Sequence, residues 1–218
     1  MLGTAGKLRR LCERAVASVP AAGAGLSVVA GNNQFSLLAA ADPASERLEE
    51  LQFVLGEGPC VDAAAARRPV LVADLGREGP ARWPVYAGAA RDAGIRAIFA
   101  FPLQVGAAHL GVLDLFRAEP GLLSATGLGR ALDLADEAVA ILLDDQTLDD
   151  QTLGEPALAG PVELFQAQGM VMVQIGGTLA EAMARIRAHA YAENRRLIDV
   201  ARAVIARDLR FDPAAEET

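Results

Sequence analysis

The chain has 218 residues, 52 % of them apolar, which is enough for a domain of about 150 residues plus a smaller one and excludes wholesale disorder. With 28 acidic and 20 basic residues its net charge is −8, so it is no general polyanion binder and any nucleic-acid contact is confined to a local patch. Two cysteines, Cys12 and Cys60, are too few for a disulfide scaffold or a four-cysteine zinc site, and two histidines, His109 and His189, leave little material for a histidine-based metal site or charge relay.

The first predicted element is a helix over Leu8–Val19, with Leu8, Leu11, Ala15 and Val19 on one face and Pro20 as its stop. Residues 15–41 carry no charge, but Pro20, Gly23, Gly25, Gly31 and Asn32-Asn33 interrupt them, so a membrane span is not expected. Lys7, Arg9 and Arg10 imitate a secretory signal only until Glu13 and Arg14, and a cytoplasmic location is expected. Strands at Leu26–Ala30 and Phe35–Ala40 flank a Gly31-Asn32-Asn33 hairpin turn. Leu48, Leu51 and Leu55 predict a helix over Glu46–Leu55, followed by Gly56-Glu57-Gly58-Pro59-Cys60 as a breaker-rich loop. Pro69–Ala73 reads as a buried strand, and Trp83–Ala93 as a helix closed by Gly94. Ile95–Val105 and Leu110–Phe116 form a second hairpin, and Ser124 caps a helix running to about Leu143. Strand pair, helix, strand, helix and strand pair between terminal helices is an α+β pattern with one antiparallel sheet.

The composition then changes. Asp144-Asp145-Gln146-Thr147-Leu148 is repeated at once as Asp149-Asp150-Gln151-Thr152-Leu153, and residues 133–155 hold eight acidic and no basic groups. This predicts a helix tail passing into an acidic linker. Beyond it, Pro161 opens a helix that contains Leu164, Phe165, Gln168, Gly169, Met172 and Ile175 and ends at Gly176-Gly177. Thr178 and Glu181 form a capping box for a second helix with the stripe Leu179, Ala182, Met183, Ile186 and Ala190. A third helix carries Ile198, Ala201, Val204, Ile205 and Leu209. Three short helices with one apolar face each are stable only when packed together. The expected division is therefore an α+β unit over 1–145, a linker over 146–160, a three-helix unit over 161–211 and an acidic tail over 212–218.

Charge separates these parts. Residues 162–211 hold seven arginines against five acidic groups and are the net basic part of an otherwise acidic chain. Arg185, Arg187, Arg195, Arg196, Arg202, Arg207 and Arg210 all fall outside the apolar stripes, and arginine suits phosphate forks and base stacking.

Ala167, Gly169 and Met172, then Ile186-Arg187, then Val200-Ala201 occur in the order and setting that resemble the ANTAR domain. The resemblance implies an RNA-binding three-helix domain acting in transcription antitermination. Many members have Lys before the glycine, where this chain has Gln168, which removes a charge but keeps a hydrogen-bonding group. The segments Leu51-Gln-Phe-Val-Leu-Gly-Glu-Gly-Pro-Cys-Val-Asp62 and Pro69-Val-Leu-Val-Ala-Asp74 resemble a GAF domain of the kind joined to ANTAR in actinobacterial regulators.

The expected RNA-binding residues are Arg187, Arg195, Arg196 and Arg202 for phosphates and base stacking, with Gln168 and Tyr191 for base contacts. The partners are then RNA stem-loops in nascent transcripts, and a second copy of the chain through the apolar faces of the helices that flank the GAF part. A dimer would grip two hairpins together. The linker carboxylates would compete with RNA for the arginines. Cys60, after Gly-Pro and near a possible helix start, is the sensor or redox candidate, although no resolving thiol or adjacent histidine supports it. His109 is expected in solvent, and His189 on the surface of the helical unit. Asp74 and Asp114 follow strand-like runs without an acidic partner, so neither a metal site nor a catalytic set is expected, and no cofactor. The alternatives are a DNA-binding regulator built on a helix-turn-helix, and a Cys60-based redox sensor or reductase.

Overall fold

The computed structural model describes residues 3–30, 34–144, 162–193 and 195–212. The linker expected over 146–160, the Gly31-Asn32-Asn33 turn, Pro161 and most of the acidic tail lie outside them. The described residues fall into two compact units, divided between residues 144 and 162.

In the first unit, α1 (Thr4–Ser18) buries the predicted stripe of Leu8, Leu11 and Ala15, together with Cys12. β1 (Gly23–Ala30) begins earlier than expected because its glycines are packing residues rather than breakers. An added Cβ on Gly25 would meet Glu49 Cγ at 2.5 Å, so the strand accepts the next helix only where it lacks side chains. β2 (Gln34–Ala40) pairs antiparallel with β1. Asp42 accepts hydrogen bonds from the amides of Ala44 and Ser45 and so caps α2 (Pro43–Leu55).

The stretch from Gly56 to Cys60 is not wholly a loop. Gly56, at φ 68°, closes α2, and Pro59 opens α3 (Pro59–Ala66) where its missing N–H costs nothing. Cys60 is therefore helical. After β3 (Val70–Val72) comes a helix that the sequence hid, α4 (Leu75–Arg82), because Gly76, Gly79 and Pro80 lower its propensity. Asp74 starts it by accepting from the Gly76 and Arg77 amides. α5 (Pro84–Asp92), β4 (Ala97–Val105), β5 (Ala108–Arg117) and α6 (Ala125–Asp144) follow as expected, with Ser124 Oγ accepting from the Gly127 amide.

The five strands form one antiparallel sheet in the order β2-β1-β5-β4-β3. Alternation along β4 and β5 sends Phe99, Phe101, Leu113 and Leu115 to the face covered by α1 and α6. Ile98, Ala100, Val112 and Phe116 go to the face covered by α2, α3 and α5. Asp114 lies between Val112 and Phe116 in this alternation, so a carboxyl enters the second core.

In the second unit, α7 (Val162–Ile175), α8 (Leu179–Ala192) and α9 (Leu197–Ile205) pack around Ala167, Val171, Ala182, Met183, Ile186, Ala190, Val200, Ala201 and Val204. The Thr178–Glu181 capping box is formed, with Thr178 Oγ1 accepting from the Glu181 amide and Glu181 accepting from the Thr178 amide. Two expectations fail. Leu179 is 51 % exposed, because it opens α8 ahead of the buried stripe. Leu209 lies beyond α9, which stops at Ile205 ahead of a left-handed Arg207 at φ 66°. Among the described residues, no helix is long and apolar enough to cross a membrane.

Candidate functional sites

The Gly-Glu-Gly-Pro-Cys segment joins helices around a buried polar centre. Glu57 Oε1 accepts from the amides of Val85 and Tyr86, each at 2.8 Å, and so caps α5 from another part of the chain. Gly58, at φ 142°, adopts a conformation that side-chain residues avoid, and an added Cβ would also run into Gln52. The amide of Cys60 donates to Gln52 Oε1 at 2.8 Å, and Gln52 Nε2 donates to Asp114 Oδ2 at 2.7 Å. Ser27 Oγ donates to Glu49 Oε2 at 2.9 Å.

Glu49, Gln52, Cys60 and Asp114 are all fully buried. One oxygen of each carboxyl remains over. Neither Glu49 Oε1 nor Asp114 Oδ1 receives a hydrogen bond from an amide or another hydroxyl; the two carboxyls face each other and the Cys60 thiol, and the buried Trp83 indole N–H and Tyr86 hydroxyl have no partner. The sequence left Asp114 without an acidic partner; the fold supplies Glu49, with the Cys60 sulfur beside both.

Burial raises both carboxyls, and the Asp114 charge adds to the effect on Glu49. Burial first, then Asp114 and Glu49, push the Cys60 thiol well up, so it is the opposite of an activated thiolate. The same causes raise Tyr86. Cys12 sits in the core on the other face of the sheet, its thiol pushed up to about 12, chiefly by burial. It has no route to a disulfide with Cys60. His109, expected in solvent, is half-buried, and burial followed by the nearby Arg67 charge lowers it.

In the helical unit the six named residues separate. Tyr191 is 50 % exposed near the end of α8, and Arg195 and Arg196 are exposed where the chain enters α9. Arg187 stands one turn before Tyr191 and is half-buried; its Nε is buried without a partner, and burial lowers its pKa. Arg195 donates to the Asp199 carbonyl at 3.2 Å. Arg202 is exposed and turned toward acidic neighbours, Glu163 at 3.7 Å and Asp199 at 3.9 Å. Gln168 leaves the set. It is buried, and its side-chain amide donates to the Leu179 carbonyl at 2.8 Å, tying α7 to the start of α8. His189 packs edge-on against Phe211 at 5.6 Å between ring centres, so it helps seat the segment after α9. Arg185 reaches the Asp212 carbonyl at 3.3 Å in the same segment.

Comparison with known proteins fits both units. The family model for the GAF domain matches residues 8–143, and that for the ANTAR domain matches residues 156–205. The chain belongs to the GAF domain family and carries an ANTAR domain after it. It is a GAF-regulated regulator of the ANTAR type. No curated protein matches it. The GAF domain of a phosphoenolpyruvate-protein phosphotransferase from Coxiella burnetii is similar at 18% identity and TM-score 0.54, over 67% of this chain and 86% of that one. A GAF domain/HD domain protein from Geobacter sulfurreducens is similar at 14% identity and TM-score 0.51, over 69% and 99%. These likenesses concern the fold alone.

Proposed function

We propose that the chain is an RNA-binding transcription antitermination regulator. Its 161–211 domain grips looped RNA, and its 1–145 GAF part sets when it does so. Residues 146–160 and 212–218 serve as an acidic linker and tail. The observation that carries this reading is the exposed group at the α8–α9 junction: Tyr191, Arg195 and Arg196, with Arg187 one turn behind. RNA loops offer unstacked bases and closely spaced phosphates. A tyrosine ring face adds about 1–3 kcal/mol when a base stacks on it, and arginine forks hold the phosphates. Arg202 joins the surface by exchanging its long carboxylate contacts for a phosphate, since exposed pairs of that kind are worth at most about 1 kcal/mol. Gln168 acts inside the domain rather than on RNA.

Holding an RNA fold that excludes a terminator requires no covalent chemistry, and the buried, protonated thiol of Cys60 suits a non-catalytic part. Dimerisation uses the outer surface of α6, where Leu132 and Leu143 are exposed, because the apolar faces of α1 and α6 are already spent on the sheet. The test is a competition assay on the full chain, with a paired-hairpin RNA against duplex DNA of equal length. The RNA-binding reading requires the duplex to compete poorly; equal competition would support the DNA-binding alternative.

A further inference from the structure

The polar centre of the GAF unit lies outside the RNA reading, and its chemistry stands on its own. Three donors converge there from three rigid elements: Glu49 on α2, Cys60 on α3 and Asp114 on β5. One ligand atom from each lies within 4.8 Å of the other two. Oxygen and sulfur donors about 2.0–2.3 Å from one ion stand less than about 4.3 Å apart, which lies inside that limit.

We propose that Glu49, Cys60 and Asp114 form a site for one divalent transition metal of the zinc class. Two observations converge on it. The first is the mixed donor set. Two carboxylates alone suit magnesium or calcium, whereas a thiolate beside them selects a softer ion. The second is the facing oxygens. Glu49 Oε1 and Asp114 Oδ1 are fully buried and receive no hydrogen bond from any amide, hydroxyl or guanidinium; their partners are each other and the Cys60 thiol, so three acidic groups are turned on one another. Buried acidic groups that face only one another must hold on to protons to avoid like-charge repulsion, and a cation that takes the place of those protons serves both carboxylates at once.

The surroundings match the support that metal ligands need. Ser27 holds the other oxygen of Glu49, and Gln52 holds the other oxygen of Asp114. The Cys60 amide, donating to Gln52 Oε1, fixes which way that side-chain amide faces. Gly25 leaves the space that Glu49 occupies. The buried Tyr86 hydroxyl and Trp83 indole N–H belong to the same core as Cys60 and lack partners, so the interior holds more polar groups than the chain itself satisfies. Binding replaces the thiol proton, and any carboxyl proton, with the ion and releases them to solvent. Because the donors are enclosed, the ion enters while the chain folds.

The test uses the full chain, expressed in cobalt-supplemented medium and, separately, refolded from urea with Co2+ or Zn2+ present. The expected result is about one ion per chain, with a sulfur-to-cobalt charge-transfer band in the near ultraviolet. Cys60→Ser should abolish that band with the fold intact by circular dichroism, and Cys12→Ser should leave it unchanged. Glu49→Gln or Asp114→Asn should weaken retention of the ion by at least about tenfold. A folded wild-type chain that takes up no ion by either route overturns the proposal, and so does a band that survives Cys60→Ser.

Discussion

Glu57 illustrates how much a single side chain carries in this fold. It sits among glycines and a proline, where sequence suggests a solvated loop charge, yet it caps the start of a distant helix by accepting the Val85 and Tyr86 amides. Glu57→Ala should cost about 1–2 kcal/mol in chemical denaturation of the GAF unit, the usual range for loss of a cap. Glu181 makes a local cap that titrates. Hydrogen bonds from Thr178 hold its carboxyl below the usual carboxylate range. Its contribution is therefore complete above the ordinary glutamate pKa and is lost as pH falls through the lowered folded value. Amide exchange at the start of α8 should speed up on acidification through that window, and Glu181→Gln should remove this pH dependence. The Thr178 capping box was readable because its two members are three residues apart. The Glu49–Cys60–Asp114 centre was not, because its members are distant in sequence. Nothing local distinguishes Glu49, fully buried, from its neighbour Glu50.

At the scale of elements, apolar periodicity located α1, α2, α5, α6, the strands and the three C-terminal helices. The errors arose where a tertiary partner decides the conformation. Gly23 and Gly25 read as breakers because the helix they admit is remote, and no helix is expected over α4 because Gly76, Gly79 and Pro80 mask what the Asp74 cap starts. A packed strand glycine and an open helix glycine should consequently respond in opposite ways. Gly111 lies in β5 against the Ser27 carbonyl of β1, and an added Cβ would strike that oxygen. Gly111→Ala should destabilise the GAF unit by about 1–3 kcal/mol through overpacking. Gly129 lies in α6, exposed, with nothing near its added Cβ. Gly129→Ala should stabilise it by about 0.5–1 kcal/mol through helix propensity. Thermal unfolding of the two variants beside the wild type checks both signs.

For the molecule as a whole, a net charge of −8 coexists with a cationic C-terminal domain. The arginine count in the sequence showed where that domain lies but not how far each arginine is exposed. The fold holds Arg187 half-buried and Arg202 beside Glu163, and leaves Arg195 and Arg196 exposed next to Tyr191. The deciding measurement is the affinity of the full chain for a paired-hairpin RNA across a range of salt concentrations, with wild type and an Arg195→Ala/Arg196→Ala variant side by side. Each phosphate contact adds about 0.7–0.9 to the slope of log affinity against log salt. The account predicts weaker binding by the variant and a slope smaller by about 1.4–1.8. Equal affinity and equal slope for the two proteins would contradict it.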